Sequence, residues 1–160
     1  MDTVYIETTV VGHLVGRMHP DPIIAARQTA TLAWWTVQAQ RFRVFVSRVV
    51  LDECGAGDPV AAEERLRVIE TITVLEHSPA VDSLANNLMA RNAIPASEPQ
   101  DAAHVAIAAL HGVDYLLTWN FKHIANAGAR SRIERVCRDA GFEPPTICTP
   151  EELLLEANDG

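Results

Sequence analysis

Long apolar runs are missing from this 160-residue chain: no stretch approaches the ~20 consecutive apolar residues that a bilayer-spanning helix needs. Cysteine is sparse. Cys54, Cys137 and Cys148 lie far apart with no CxxC pair, which argues against a disulfide framework or a thiolate zinc site and leaves three ordinary buried thiols. Neither GxxxxGK[ST] nor GxGxxG occurs, so the glycine loops that cradle nucleotide phosphates are lacking. The opening residues Met1-Asp2-Thr3-Val4 carry no basic stretch followed by an apolar core, so the expectation is a soluble, cytoplasmic protein with no membrane partner. Basic residues are also few, 13 Lys and Arg against 21 Asp and Glu, and the net charge of −8 speaks against a polyanion partner.

What is present is a good core. With 48% apolar and 21% charged residues, disorder is excluded as a global description, and the length suits one domain over residues 1–160 with its core at about 3–155. The charge is unevenly spread. Residues 1–117 hold 8 basic and 14 acidic groups, 118–140 hold 5 basic and 2 acidic, and 141–160 hold 5 acids and no Lys or Arg. The local basic excess of Lys122, Arg130, Arg132, Arg135 and Arg138 forms a positive strip on an acidic body, either a solvated helix face or a site for a polyanion.

Apolar patterning gives alternating strands and helices. Strands are expected at about 3–7, 42–46, 72–75, 114–118 and 146–148. Asp21-Pro22 opens a helix to about Gln40, Ser47 caps one that stops at Gly55 and Gly57, and Asp58-Pro59 starts another to about Glu70. Ser78-Pro79 begins a further helix. Ser97-Glu98-Pro99-Gln100 reads as a capping box for the helix 101–110, and Thr149-Pro150-Glu151-Glu152 as a second box. A helix over about 124–139 lies between the last two strands. The alternation implies an α/β fold, a three-layer α/β/α sandwich with a mostly parallel central sheet of about five strands.

Ligands of such sheets bind beyond the carboxyl ends of the strands. Glu7 ends the first strand inside an apolar run, where a buried carboxylate needs a partner, such as Arg48. Glu53 follows the second strand, Asp101 lies in the first turn of an otherwise almost wholly apolar helix, and Asn120 stands just past the strand ending at Thr118. Singly, Asp101 complements a helix N-terminus and Glu53 faces solvent beside Asp52. Together, three acids and an amide suit a hard divalent cation, Mg²⁺ or Mn²⁺. His104, on an apolar helix, reads as a hydrogen-bonded core residue, and His123 as a loop residue or phosphate neighbour; neither is taken as a ligand.

In their order and spacing, Tyr5-Ile6-Glu7-Thr8-Thr9, the Ser47-initiated helix with Glu53, Asp101-Ala102-Ala103-His104-Val105-Ala106 and Leu116-Leu117-Thr118-Trp119-Asn120-Phe121-Lys122-His123 resemble the PIN domain, closest to the VapC-like toxins of type II toxin–antitoxin systems. The resemblance spans about residues 3–155. It implies a Rossmann-like fold and a metal-dependent endoribonuclease that leaves 5′-phosphate and 3′-hydroxyl ends. Mg²⁺ or Mn²⁺ would be its cofactor, RNA its substrate, and a cognate antitoxin and a second copy in a homodimer its partners. Carried over, Glu7, Glu53 and Asp101 are the acids and metal ligands and Asn120 the fourth site position. Glu7 and Asp101 would ligate directly, Glu53 through water or as general base. Thr8 and Thr118 would be supporting hydroxyls. Lys122, Arg130 and Arg132 are candidates for RNA contact, and Trp34, Trp35 and Trp119 for base stacking. Two positions depart from the usual pattern: Glu7 replaces the commoner Asp, and His123 stands where many members carry another acid. The alternative is a catalytically weak or silent interaction module on the same fold. A phosphatase reading would require an aspartyl nucleophile in a DxD pattern, which Glu-Thr-Thr does not supply.

Overall fold

In the computed structural model, which describes residues 1–159 and the side chains as far as Leu154, five short strands line up in the order β3-β2-β1-β4-β5, all parallel. They are β1 (Thr3–Ile6), β2 (Arg43–Ser47), β3 (Thr73–Leu75), β4 (Tyr115–Leu117) and β5 (Thr146–Cys148). Tyr5 pairs with Phe45 on one side and with Leu116 on the other, which fixes β1 at the centre. Chain order runs outward from β1 to β3, then returns to β4 and runs outward the other way. The crevice between β1 and β4 is therefore the point where the topology reverses, and its carboxyl end is where such sheets present their ligand sites. Buried Val4, Tyr5, Ile6, Leu116 and Leu117 explain why these strands carry almost no polar residue: both faces are covered.

The helices are α1 (Thr8–Gly12), α2 (Pro22–Ala33), α3 (Arg48–Cys54), α4 (Pro59–Val68), α5 (Pro79–Ala90), α6 (Pro99–Leu110), α7 (Ala127–Asp139) and α8 (Pro150–Asp159). Helices α5, α6 and α7 pack on one another and α2 packs on α8, giving the outer layers of a three-layer α/β/α sandwich. No helix among the described residues is long and apolar enough to cross a membrane.

Capping chemistry sets most boundaries. Asp21 accepts from the amide of Ile23, Ser47 from that of Val50 and Asp58 from that of Ala61. The box at the start of α8 forms in full: Thr149 Oγ1 accepts from the Glu152 amide, and Glu152 Oε1 from the Thr149 amide. The expected box at Ser97 does not form. Glu98 is the residue that precedes α6, with Pro99 at the first helical position and no side-chain cap, which shifts the start and frees the Glu98 carboxylate. Asn126 caps α7 by accepting from Ala129, so that helix begins later than its apolar pattern suggests. Gly112 and Gly141 take positive φ directly after α6 and α7, a conformation that a Cβ would strain.

Two local features depart from the sequence reading. The sequence reading places no helix between the first strand and Asp21, whereas the residues directly after Glu7 wind into α1. The second helix stops at Ala33, and Trp34–Gln38 form a π turn followed by a 3₁₀ turn at Ala39–Arg41. Trp34 is fully buried against Phe42, so this aromatic serves the core and not a base.

Candidate metal and phosphate site at the carboxyl end of the sheet

Glu7 sits at the β1–β4 crevice and is almost completely buried. Its Oε1 accepts hydrogen bonds from the hydroxyls of Thr9 and Thr118, the latter at 2.7 Å. Each hydroxyl in turn accepts a backbone amide of the β4–α7 loop: Trp119 N–H donates to Thr9 Oγ1 at 2.9 Å, and Asn120 N–H to Thr118 Oγ1 at 2.9 Å. The carboxylate is held by two polarised hydroxyls rather than by the expected arginine; no salt bridge joins Glu7 and Arg48 among the described residues. Both of these bonds fall on Oε1, and among the described residues none is given to Oε2.

Glu53 is anchored differently. Its Oε1 accepts from Thr8 Oγ1 at 2.8 Å and from His104 Nε2 at 2.6 Å. Behind His104 a wholly buried chain continues, with Nδ1 2.6 Å from the Tyr5 hydroxyl and that hydroxyl 2.7 Å from Ser47 Oγ. The chain runs from Glu53 through both ring nitrogens of His104 to Tyr5 and Ser47, and ends where Ser47 Oγ accepts the Val50 amide. Burial works against ionisation of Glu53, but the hydrogen bond and electrostatic pull of His104, followed by the Thr8 hydroxyl, outweigh it and hold its carboxyl below the usual range. Burial drives the Tyr5 phenol far above its ordinary value against the opposing bond from Ser47, so it stays protonated. His104 is thus the hydrogen-bonded core residue that the sequence suggested.

Asp101 lies in the first turn of α6, three residues before His104, so the two share a helix face. Its Oδ2 is 2.9 Å from His123 Nδ1. Glu98, at the start of the same helix, completes a group: the ligand atoms of Glu98, Asp101 and His123 all lie within 4.8 Å of one another. Glu7 and Glu53 stand at the same end of the sheet but outside this group. Asn120 spends its side-chain oxygen on the turn, accepting the His123 amide at 3.0 Å, while its carbonyl accepts the amides of Ile124 and Ala125. It shapes the loop that presents His123.

The structure therefore links the four sequence candidates through short bridges. Thr8 and Thr9 on α1 hold Glu53 and Glu7, Thr118 ties Glu7 to β4, and α6 carries both Asp101 and the histidine that holds Glu53. Sequence reasoning did not select Glu98 or Thr9, and it did not take His123, which the structure sets against Asp101, as a candidate ligand. The signal for Glu98 was its spacing of three from Asp101 at a helix start, which the capping-box pattern obscured. Among the basic candidates, Lys122 and Arg132 are exposed, while Arg130 is committed to the Ala125 carbonyl at 2.7 Å and to Glu152 at 3.5 Å. Trp119 is buried, its Nε1–H donating to Thr31 Oγ1.

Two carboxylates and an imidazole nitrogen make a donor set for a divalent cation that accepts nitrogen as well as oxygen. No protein-family model matches the chain, and no curated protein matches it either.

Proposed function

We propose that this chain is a metal-dependent endoribonuclease of PIN type, the toxin of a VapBC-type toxin–antitoxin module, acting in the cytoplasm as a homodimer. The observation that carries the reading is the Glu98–Asp101–His123 group, within 4.8 Å at the carboxyl end of a parallel sheet whose switch point also holds Glu7. Glu98, Asp101 and His123 would hold the ion, with Glu7 Oε2 facing the same end. The imidazole favours Mn²⁺ over Mg²⁺. A divalent cation there supplies positive charge for a phosphate oxygen and acidifies water.

The remaining groups act on orientation and protons. Glu53 is held on one oxygen by Thr8 and His104, which suits its second oxygen to orient an attacking water. The Thr9 and Thr118 hydroxyls fix Glu7 Oε1 and so aim its second oxygen. Asn120 stabilises the turn that sets His123 against Asp101.

The test is cleavage of tRNA, rRNA and mRNA pools with Mn²⁺ against EDTA. Asp101→Ala is expected to abolish cleavage while leaving the fold intact, and cleavage at the wild-type rate in that variant would remove the reading. The toxin assignment adds a second requirement, a small neighbouring reading frame whose product binds the chain and suppresses cleavage.

A further inference from the structure

The β4–α7 loop that carries His123 also contributes Trp119 and Phe121 to a groove of about 440 Å³, lined by Ile23, Ala26, Arg27 and Glu151 as well. Its composition is unusual for a surface. Phe121 is 40% exposed and Ile23 65% exposed, although both are large apolar side chains. The guanidinium of Arg27 lies 5.6 Å from the centre of the Trp119 ring and 5.1 Å from that of Phe121. The two rings meet edge to face at 6.1 Å, and Trp119 is locked as the floor by its bond to Thr31. Among the described residues no carboxylate lies within salt-bridge distance of Arg27, Glu151 included, and no acceptor takes its guanidinium N–H groups. A cation layered on two rings, with its donors unspent, is a half-made recognition site.

We infer that this groove is the subsite for a nucleotide of single-stranded RNA next to the cleaved phosphate, the base stacking on the Arg27–Phe121 layer and the guanidinium N–H groups taking its phosphate. The inference rests on the ribonuclease reading given above. Continuity carries it to the site: Thr118 holds Glu7, Trp119 and Phe121 line the groove, and His123 contacts Asp101, all within one six-residue stretch. Planar guanidinium and aromatic groups are what unstacked bases bind, whatever their identity. An apolar peptide would use Ile23 and Phe121 but leave the guanidinium unpaired, so charge complementarity favours the nucleotide. The exposed Lys122 adds a second cation on the same loop.

The experiment measures binding of a short fluorescent single-stranded RNA to the purified chain in EDTA, with Mn²⁺-dependent cleavage followed in parallel. Phe121→Ala is expected to weaken binding roughly tenfold or more, Phe121→Leu equally, and Phe121→Tyr hardly at all. Because Phe121 is exposed, these variants keep the core. Arg27→Gln is expected to weaken binding and to lower the salt dependence by about 0.7 in log–log slope, one phosphate contact on a single strand. Unchanged RNA affinity in both Phe121→Ala and Arg27→Gln overturns the subsite. So does a wild-type chain that fails to bind the RNA, or a variant pair that loses self-association or peptide binding while keeping RNA affinity. Cleavage by a wild type whose binding ignores these substitutions would leave the nuclease standing and remove only the subsite; a wild type that neither binds nor cuts RNA would remove both.

Discussion

Glu53 and Asp101 stand at the same end of the sheet and each faces a histidine, yet the chain supports them in opposite ways. The partner of Glu53 is His104, wholly buried, with its far nitrogen tied to Tyr5 and through it to Ser47. The partner of Asp101 is His123, on a loop, and a second acid, Glu98, lies within the same 4.8 Å. One half is a closed hydrogen-bond chain that needs nothing further. The other gathers two like charges around one imidazole, an arrangement that a cation would relieve. The labour is divided: the buried half fixes geometry through the core, and the loop half keeps its donors available.

The largest expected effect falls on the closed half. His104→Ala removes a fully buried ring and takes one of two hydrogen-bond partners from both the Tyr5 hydroxyl and the Glu53 carboxylate, and is expected to cost ~3 kcal/mol of stability. His123→Ala removes a ring from a partly exposed loop position, where the first turn of α6 still favours the Asp101 charge, and is expected to cost ~1 kcal/mol or less. Urea unfolding with unchanged slope measures both. Equal losses would mean that the two histidines are not different in kind.

The same contrast governs how much was legible in the sequence. The five strands, and the caps at Asp21, Ser47, Asp58 and Thr149, followed from apolar runs and short polar signals that act locally. Glu7, Glu53 and Asp101 were conspicuous because each is an acid beside an apolar segment. The closed chain was not legible, since Tyr5 and His104 are 99 positions apart and meet only when β1 and α6 are layered. Thr9 lies past the strand expected at about 3–7 and carried no signal of its own; only the turn of α1 brings it back onto Glu7. Ser97 and Gln100 had the right spacing for a box, but Pro99 lets the helix start at the next residue and Glu98 takes the capping position. The π turn at Trp34–Gln38 was not legible either, because Val37 still falls at helical spacing from the apolar residues before it.

A second response belongs to the loop half. If Glu98, Asp101 and His123 hold the ion, Mn²⁺ stabilises the folded chain by mass action, ~2.7 kcal/mol at a hundredfold excess over its dissociation constant. Glu98→Gln removes one charged donor and is expected to reduce that stabilisation at the same Mn²⁺ concentration, with little change in the metal-free melting temperature. Thermal unfolding with and without Mn²⁺ reads it directly. A Mn²⁺ shift equally large in Glu98→Gln would move the ion away from this group, toward Glu7 and Glu53.

The smallest effect is one of sign and pH window, and it tests whether Glu53 belongs to the closed half. Its carboxyl in the folded chain lies below the ordinary 4.5, because His104 and Thr8 together outweigh the burial that opposes ionisation. As pH falls, the unfolded chain therefore takes up this proton first, and protonation pulls toward unfolding. The contribution of Glu53 is present in full above about pH 5, shrinks as pH drops below 4.5, and is gone once pH passes the lowered folded value. Glu53→Gln keeps the shape and removes the titration. The stability gap between wild type and this variant should stay constant from neutral pH to about pH 5 and close on further acidification. With the side chain a third exposed, solvent screening keeps the gap below ~1 kcal/mol, so it is best read as a difference between paired urea midpoints. A gap that widens as pH falls would mean that the folded chain binds this proton more tightly than the unfolded one. Burial would then outweigh His104, and the closed half would no longer be what keeps Glu53 ionised.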